Sequence, residues 1–211
     1  STSQNIGFYG PKPFGEILNT SFEKAWTPTV LSSIENRKYM ILLDEAKANA
    51  ITFSSDADIS NLSLTPITNV NASEATYSSM LRTIFQMVDL NAPLNNSITP
   101  LSGIYQLNPF IHSYYALNAN DNNTAILSDR GTYYIADSDN EGYLGITFSN
   151  NASAATLTAS SKYEYDVSTS SFIEVTSWTN KYLKINGTSL EWTSTLSDAS
   201  SFFLADPNDL I

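Results

Sequence analysis

The hydrophobic pattern of residues 36–211 is mostly that of short β-strands. Residues 39–43 form a continuous apolar run, and residues 50–53 and 62–64 alternate between apolar and polar side chains. Apolar runs of about four to eight residues and a period of two are typical of strands. Residues 104–206 continue with short apolar segments separated by clusters of Asn, Asp and Ser. The pattern therefore predicts one mainly β domain over residues 36–211.

Residues 74–90 follow a helical period instead. Ser73 is a suitable N-cap, because its hydroxyl can accept a free backbone N–H of the first turn. Pro93 lies just beyond the segment, and proline cannot continue the helical hydrogen-bond ladder. The sequence predicts one amphipathic helix, with its apolar stripe in the core or, alternatively, on a partner surface. The stripe consists of residues spaced three and four apart: Tyr77, Met80, Leu81, Ile84, Phe85 and Val88.

Residues 1–35 differ from the rest, and we predict an N-terminal arm. Residues 7–15 interleave aromatic side chains with Gly and Pro, which interrupt regular structure every few residues. Bulky rings on an irregular arm need a surface to bury against. Two interpretations are open. Either the arm packs on its own domain, or it docks on a neighbouring subunit with Phe8, Tyr9 and Phe14 as subunit contacts.

Segments that begin with Tyr recur in the second half of the chain. Tyr143-Leu144-Gly145-Ile146 and Tyr182-Leu183-Lys184-Ile185 are 39 residues apart, and a third copy begins at Tyr114. A hairpin buries only one face, so tandem copies are expected to stack into a barrel or sandwich. Chance recurrence in a Ser- and Tyr-rich sequence is the alternative. The alignment also matches Leu157 with Leu196, Tyr163 with Phe202, and Tyr165 with Leu204.

The last copy, residues 182–204, resembles the repeat of β-trefoil proteins of the ricin-type lectin and fascin kind. In that repeat a strand opening Tyr-Leu-x-Ile precedes a Ser/Asp/Ala turn and a Phe-x-Leu strand. The resemblance implies a β-trefoil-like fold. The copies are spaced by 29 and 39 residues, less than a usual trefoil third, and the Gln-x-Trp signature of ricin-type lectins does not occur.

Trp192 is the candidate for a sugar-binding residue. An exposed Trp ring can stack on the apolar face of a sugar while Asn and Asp bind the hydroxyls, and Asn186 and Asp198 are near Trp192 in sequence. Trp is also common in cores and at subunit contacts. Both interpretations of Trp192 are open at this point.

Composition and charge restrict the classes of partner and of catalytic or metal site that this protein can have. The 211 residues contain 21 acidic and 10 basic side chains, a formal charge of -11, which disfavours nucleic acid and anionic membranes as partners. Cysteine is absent, which removes thiolate metal sites and Cys nucleophiles. His112 is the single histidine and no Gly-x-Ser-x-Gly motif accompanies it. Residues 137–142 resemble the start of a calcium loop, but Phe148 stands where Glu is required. We predict no catalytic residue, no metal and no cofactor.

The start of the chain and the length of its apolar runs bear on the expected cell location. No charged and apolar leader opens the chain, so we expect cytoplasmic synthesis without a signal peptide; a leader cleaved from a longer precursor is the alternative. No apolar run approaches the roughly 18 residues of a membrane-spanning helix. The low content of charged residues, 15%, and the many small polar residues are common on virion proteins, extracellular modules and cytosolic lectins, and we expect a virion or an extracellular surface as the location. Seven N-x-S/T triplets are either glycan acceptors or chance occurrences: Asn19, Asn61, Asn71, Asn95, Asn122, Asn151 and Asn186.

These observations predict a non-enzymatic structural protein of a larger complex, such as a phage-type virion component. It would contact other protein subunits, in a homo-oligomer, through the aromatic Gly/Pro arm. The alternative is a carbohydrate-binding, lectin-like β-trefoil module that recognises glycans. The third hypothesis is that the protein is an enzyme, but the sequence contains no recognisable set of catalytic side chains.

Overall fold

The computed structural model describes residues 27–55, 58–67, 81–91, 103–130 and 141–207. These contain thirteen β-strands and a short 3₁₀ helix at Leu196–Asp198, so the predicted mainly β fold is confirmed. The strands are β1 (Tyr39–Asp44), β2 (Asn49–Ser55), β3 (Asp58–Pro66), β4 (Ile84–Asp89), β5 (Tyr105–Pro109), β6 (Tyr115–Ala119), β7 (Ala125–Asp129), β8 (Tyr143–Ser149), β9 (Thr156–Asp166), β10 (Ser171–Glu174), β11 (Lys181–Asn186), β12 (Ser189–Thr193) and β13 (Phe202–Ala205).

The strands form one antiparallel, nearly closed, barrel-like sheet. Its order is β12-β11-β9-β8-β5-β4-β1-β2-β3-β7-β6, with β10 beside β9 and β13 beside β1. The two ends of this path approach each other at the turn between β6 and β7. There the Trp192 backbone N–H donates to the Asn123 carbonyl at 2.7 Å, and Thr124 forms a bridge with Glu191.

The interior of the barrel is a packed apolar core. A small void lies at its centre, and every side chain around it is apolar, so it offers no polar group to orient a ligand. The side chains around the void are Leu42, Ile51, Leu62, Phe85, Leu107, Leu117, Ala125, Leu183 and Leu190.

Strand β1 is buried on both faces, which explains its continuous apolar sequence. Met40 and Leu42 belong to the main core. Ile41 and Leu43 belong to a second, smaller cluster together with Phe203 from β13. A strand covered on both sides needs no polar alternation.

The predicted helix over residues 74–90 is wrong for residues 84–89, which form strand β4. Ile84 lies opposite Ile41 of β1, and Met87 lies opposite Leu107 of β5. Most of β4 is buried, so its apolar residues do not alternate and their spacing imitates a helical stripe. Residues 68–80 lie outside the described residues.

The Tyr-led repeat does not correspond to a repeated structural unit. Leu157 is fully buried in β9, whereas its counterpart Leu196 is 60% exposed in the 3₁₀ helix. Tyr163 continues β9, whereas its counterpart Phe202 begins the separate strand β13. Antiparallel hairpins do recur along the chain, but the aligned positions occupy different environments, because strand lengths and turn positions differ between the copies.

Part of the predicted N-terminal arm packs on its own domain. Val30 forms a bridge with Ala205, and the Leu31 backbone N–H donates to the Leu204 carbonyl at 2.8 Å. The side chain of Leu31 is buried in the main core. The predicted subunit contacts Phe8, Tyr9 and Phe14 lie outside the described residues.

Candidate binding surface

Trp192 is a core residue and not a stacking platform for a sugar. Its side chain is 3% exposed, and its indole N–H donates to the Asn118 carbonyl at 3.2 Å. Along β12, Leu190 and Trp192 both point inward because they are two residues apart. The sequence alone did not indicate which face of β12 is buried.

The two polar residues predicted to assist Trp192 are exposed. Asn186 ends β11 opposite Ser189, and Asp198 lies in the 3₁₀ helix, where its backbone N–H donates to the Thr195 carbonyl at 3.0 Å. Because the ring of Trp192 is buried, these three residues do not form the predicted sugar site together.

Four aromatic side chains lie together on strands β8, β9 and β10. Tyr143 and Tyr163 are stacked, with ring centroids 5.0 Å apart and planes inclined by 22°. Phe172 lies 5.2 Å from Tyr143 and 5.5 Å from Tyr165, centroid to centroid. All four residues are partly buried. We call Tyr143, Tyr163, Tyr165 and Phe172 the aromatic edge.

Strand register brings these rings together. Tyr143 lies directly opposite Tyr163, and Phe172 lies directly opposite Tyr165. Tyr163 and Tyr165 are two residues apart and therefore share a face of β9. Aromatic pairs directly across strands stabilise the sheet, so the cluster is a fixed feature of the fold.

The hairpin that carries the aromatic edge also exposes aliphatic side chains. Val167, in the β9–β10 turn, is 67% exposed, and Ile173, on β10, is 48% exposed. Strand β10 pairs with β9 and lies off the main path of the sheet. Apolar groups concentrated at a sheet margin are typical of an interaction surface.

The hydroxyl of Tyr143 stays protonated at neutral pH. Burial is the largest cause that raises the pKa of Tyr143 to about 12, the neighbouring Tyr163 raises it further, and Arg130 acts in the opposite direction. A neutral phenol can be covered by a partner without the cost of burying a charge.

A glycine allows β8 to begin against β9. Gly142 has φ +101°, and a Cβ placed there would lie 1.9 Å from the Tyr163 carbonyl oxygen. The Gly142 carbonyl accepts a hydrogen bond of 2.8 Å from the buried hydroxyl of Ser128. Gly142 therefore positions the neighbouring Tyr143 beside Tyr163.

The β9–β10 hairpin carries acidic side chains, Glu164, Asp166 and Glu174. Hydrogen bonds from Ser168 are the main cause that lowers the pKa of Asp166, and Thr169 contributes as well. Glu164 forms an ion pair of 3.7 Å with Lys162. The margin around the apolar groups is therefore negatively charged at neutral pH.

On the other face of β9, two lysines and a tryptophan close the barrel. The amines of Lys181 and Lys162 lie 4.4 and 5.3 Å from the centroid of the Trp178 ring. Lys162 donates to the Ala119 carbonyl at 3.1 Å, and Lys181 donates to the side-chain oxygen of Asn123 at 2.5 Å. These contacts attach the β6–β7 turn to β9 and β11, so this cluster serves the fold.

No group of three or more metal-ligating side chains occurs within the described ranges. The ring of His112 lies 5.6 Å from that of Phe53 and 6.4 Å from that of Tyr115, as in an aromatic packing contact. Most of the calcium-like loop, residues 137–140, lies outside the described residues. None of the helices in the described part of the chain has the length and apolar character needed to cross a membrane.

The sequence pattern does not predict the aromatic edge, although Tyr143 belongs both to this cluster and to the predicted repeat. The alternating Tyr163 and Tyr165 were noticed only as positions of a repeat. Their alternation indicates one strand face, but their contact with Phe172 depends on the β9–β10 register, which the sequence does not state.

Comparison with known proteins identifies a solved structure with a similar fold, and the function of that protein is unknown. A solved structure described as a Caenorhabditis elegans protein with unknown function matches with a TM-score of 0.50 and 10% sequence identity, over 82% of this chain and 96% of that chain. At this identity the likeness concerns the fold alone. No protein-family model matches the sequence, and the search of curated proteins gives no match.

Proposed function

We propose that this protein is a non-enzymatic structural component of a larger assembly, and that its aromatic edge binds a second copy of the chain. The observation that carries the proposal is the partly exposed four-ring cluster on a hairpin that also exposes the side chains of Val167 and, on its opposite face, Ile173. Rings that are already held in place lose little conformational entropy when a partner covers them.

Strand β10 supports a protein partner in particular. It is a short strand, four residues long, and it pairs with β9. Backbone groups at a sheet margin can accept a further strand, while side-chain contacts supply specificity. Tyr and other aromatic residues also dominate the energetics of many protein interfaces. In this proposal, Phe172 and Ile173 become buried between two copies.

The predicted aromatic arm is retained as a second contact. Phe8, Tyr9 and Phe14 would bind a neighbouring subunit. Two separate contacts per copy would allow an extended assembly, as in a virion or an extracellular particle, instead of a closed dimer.

Size-exclusion chromatography with light scattering tests the proposal. We expect the full chain to form an oligomer that Phe172→Ala and Ile173→Ser each weaken. Leu196→Ala is the matched control, because Leu196 is an exposed aliphatic residue on the 3₁₀ helix. A chain that remains monomeric at all concentrations tested, or an oligomer equally weakened by the control, contradicts the proposal.

Carbohydrate binding is the second candidate, and the stacked Tyr143 and Tyr163 favour it. Their rings supply an apolar platform, and their hydroxyls, including the neutral hydroxyl of Tyr143, supply hydrogen-bonding groups for a sugar. The resemblance of residues 182–204 to β-trefoil lectin repeats supports the same function. A glycan array on the full chain, with Tyr163→Ala as the negative control, tests it. Binding that is absent, or unchanged by Tyr163→Ala, contradicts a sugar site here.

A further inference from the structure

Three N-x-S/T triplets lie in exposed hairpin turns. Asn122 lies between β6 and β7, Asn151 lies between β8 and β9, and Asn186 ends β11 at the turn into β12. All three asparagines are exposed, and so are the hydroxyl residues two positions later: Thr124, Ser153 and Thr188. From this placement we infer that Asn122, Asn151 and Asn186 are N-glycosylation sites.

The β11–β12 turn has room for a large polar modification. In the β11–β12 turn, Gly187 has φ +65°, and a Cβ placed there would meet no atom within 4 Å. In the β8–β9 turn, the side-chain oxygen of Asn151 accepts hydrogen bonds from the backbone N–H and the hydroxyl of Ser153, at 3.1 and 2.5 Å. Both bonds use the side-chain oxygen of Asn151.

A fourth triplet, at Asn61, gives a contrast. Asn61 is also exposed but lies within β3, where it pairs with Ile126 of β7. Asn61 therefore lies inside a strand, whereas Asn122 and Asn151 lie in turns and Asn186 is the last residue of β11, where it pairs with Ser189. The inference is limited to residues at the ends of hairpins, including Asn122, whose neighbours Asn123 and Thr124 also contact β12.

The chemistry is a glycosyl transfer. The donor is an oligosaccharide joined through its anomeric carbon to a lipid diphosphate. The side-chain nitrogen of the asparagine forms a bond to that carbon and loses one proton, and the bond from the carbon to the diphosphate oxygen breaks. The lipid diphosphate departs with the electron pair of that bond, so no oxidant or reductant is needed.

A glycan on Asn151 begins far from the aromatic edge. Tyr143 pairs with Tyr163 at one end of the β8–β9 hairpin, and six residues along the strand Ser149 pairs with Thr156 next to the turn. This separates Asn151 from the stacked rings by about 20 Å. The inference does not depend on the proposed assembly function, but it selects an extracellular location over a phage-type virion.

Mass spectrometry of the protein isolated from the cells that produce it tests the inference. An N-glycosidase in ¹⁸O water converts each glycosylated asparagine into an ¹⁸O-labelled aspartate. We expect labelled aspartate at positions 122, 151 and 186. Unlabelled asparagine at all three positions overturns the inference and leaves the assembly proposal unaffected.

A pair of variants in the same cells distinguishes enzymatic transfer from spontaneous deamidation. Thr188→Ser keeps the N-x-S/T triplet, and Thr188→Ala removes it while leaving Asn186 in place. We expect the label at position 186 to be retained in Thr188→Ser and lost in Thr188→Ala. A label that persists in Thr188→Ala contradicts glycosylation of Asn186.

Discussion

The ring of Tyr143 stacks on the ring of Tyr163 across strands β8 and β9, with centroids 5.0 Å apart. The stack lies next to Phe172 of β10, so three strands contribute to a single aromatic surface. Because burial raises the pKa of Tyr143 to about 12, this surface contains a neutral phenol at neutral pH. The Tyr143–Tyr163 pair is thus both a structural contact between strands and the centre of the proposed interface.

Tyr143 is expected to make stability fall at high pH. Its ordinary pKa is 10.0 and its folded-state pKa is about 12, so the folded protein holds this proton more tightly than the unfolded chain. The resulting stabilisation is complete below pH 10 and is lost as the pH rises through about 12. Urea unfolding at increasing pH measures this loss. Tyr143→Phe should show a smaller decrease, and an identical decrease in both proteins contradicts the assignment.

Replacing each of two positive-φ glycines with alanine should lower the unfolding free energy by different amounts. Gly142→Ala places Cβ against the Tyr163 carbonyl, so we expect a loss of about 3 kcal/mol or more in unfolding free energy. Gly187→Ala has open space and should cost only the backbone strain, about 1 kcal/mol. Chemical denaturation of both variants measures the difference. Equal losses of unfolding free energy in the two variants would contradict the close approach of Gly142 to the Tyr163 carbonyl oxygen.

Two buried serines provide a similar contrast. The hydroxyl of Ser128 bonds with both the Asn118 side chain and the Gly142 carbonyl, so Ser128→Ala should cost about 1–3 kcal/mol. The hydroxyl of Ser161 is buried and has no hydrogen-bond partner among the described residues. Ser161→Ala should therefore be neutral or stabilise by up to about 1 kcal/mol. Thermal or urea unfolding checks both values, and a large loss in Ser161→Ala contradicts this account.

Trp192 should matter for stability and not for ligand binding. Trp192→Phe removes the N–H that donates to the Asn118 carbonyl and leaves a smaller ring in the core, so we expect a loss of about 2 kcal/mol. Urea unfolding measures the loss. Glycan binding that disappears in a Trp192→Phe protein which remains folded would restore the sugar-platform hypothesis for this residue.

The sequence predicted the fold class because local patterns determine it. Alternation and short apolar runs indicated strands over most of residues 36–211, and the structure confirms the mainly β fold. Strand β4 was misassigned as helix because a strand buried on both faces loses its period of two. The apolar spacing in Ile84, Phe85 and Val88 fits both structures, and only pairing with β1 and β5 decides between them.

The candidate surface was harder to predict because it depends on contacts distant in sequence. Trp192 was a reasonable sugar-binding candidate by residue type, but the inward face of β12 buries it. The contact of Phe172 with Tyr143 joins residues 29 positions apart through the registers of two strand pairs. No local pattern in the chain specifies those registers.

Photo-cross-linking from the aromatic edge tests the central claim most directly. A photoreactive benzophenone side chain replaces Phe172 in the full chain, and irradiated products are separated by mass and mapped by peptide mass spectrometry. The account predicts a covalent dimer joined from position 172 to a peptide of a second copy, with no such product when the same group replaces Leu196. Irradiation that yields only monomer or links within one chain contradicts the claim that this edge joins copies of the protein.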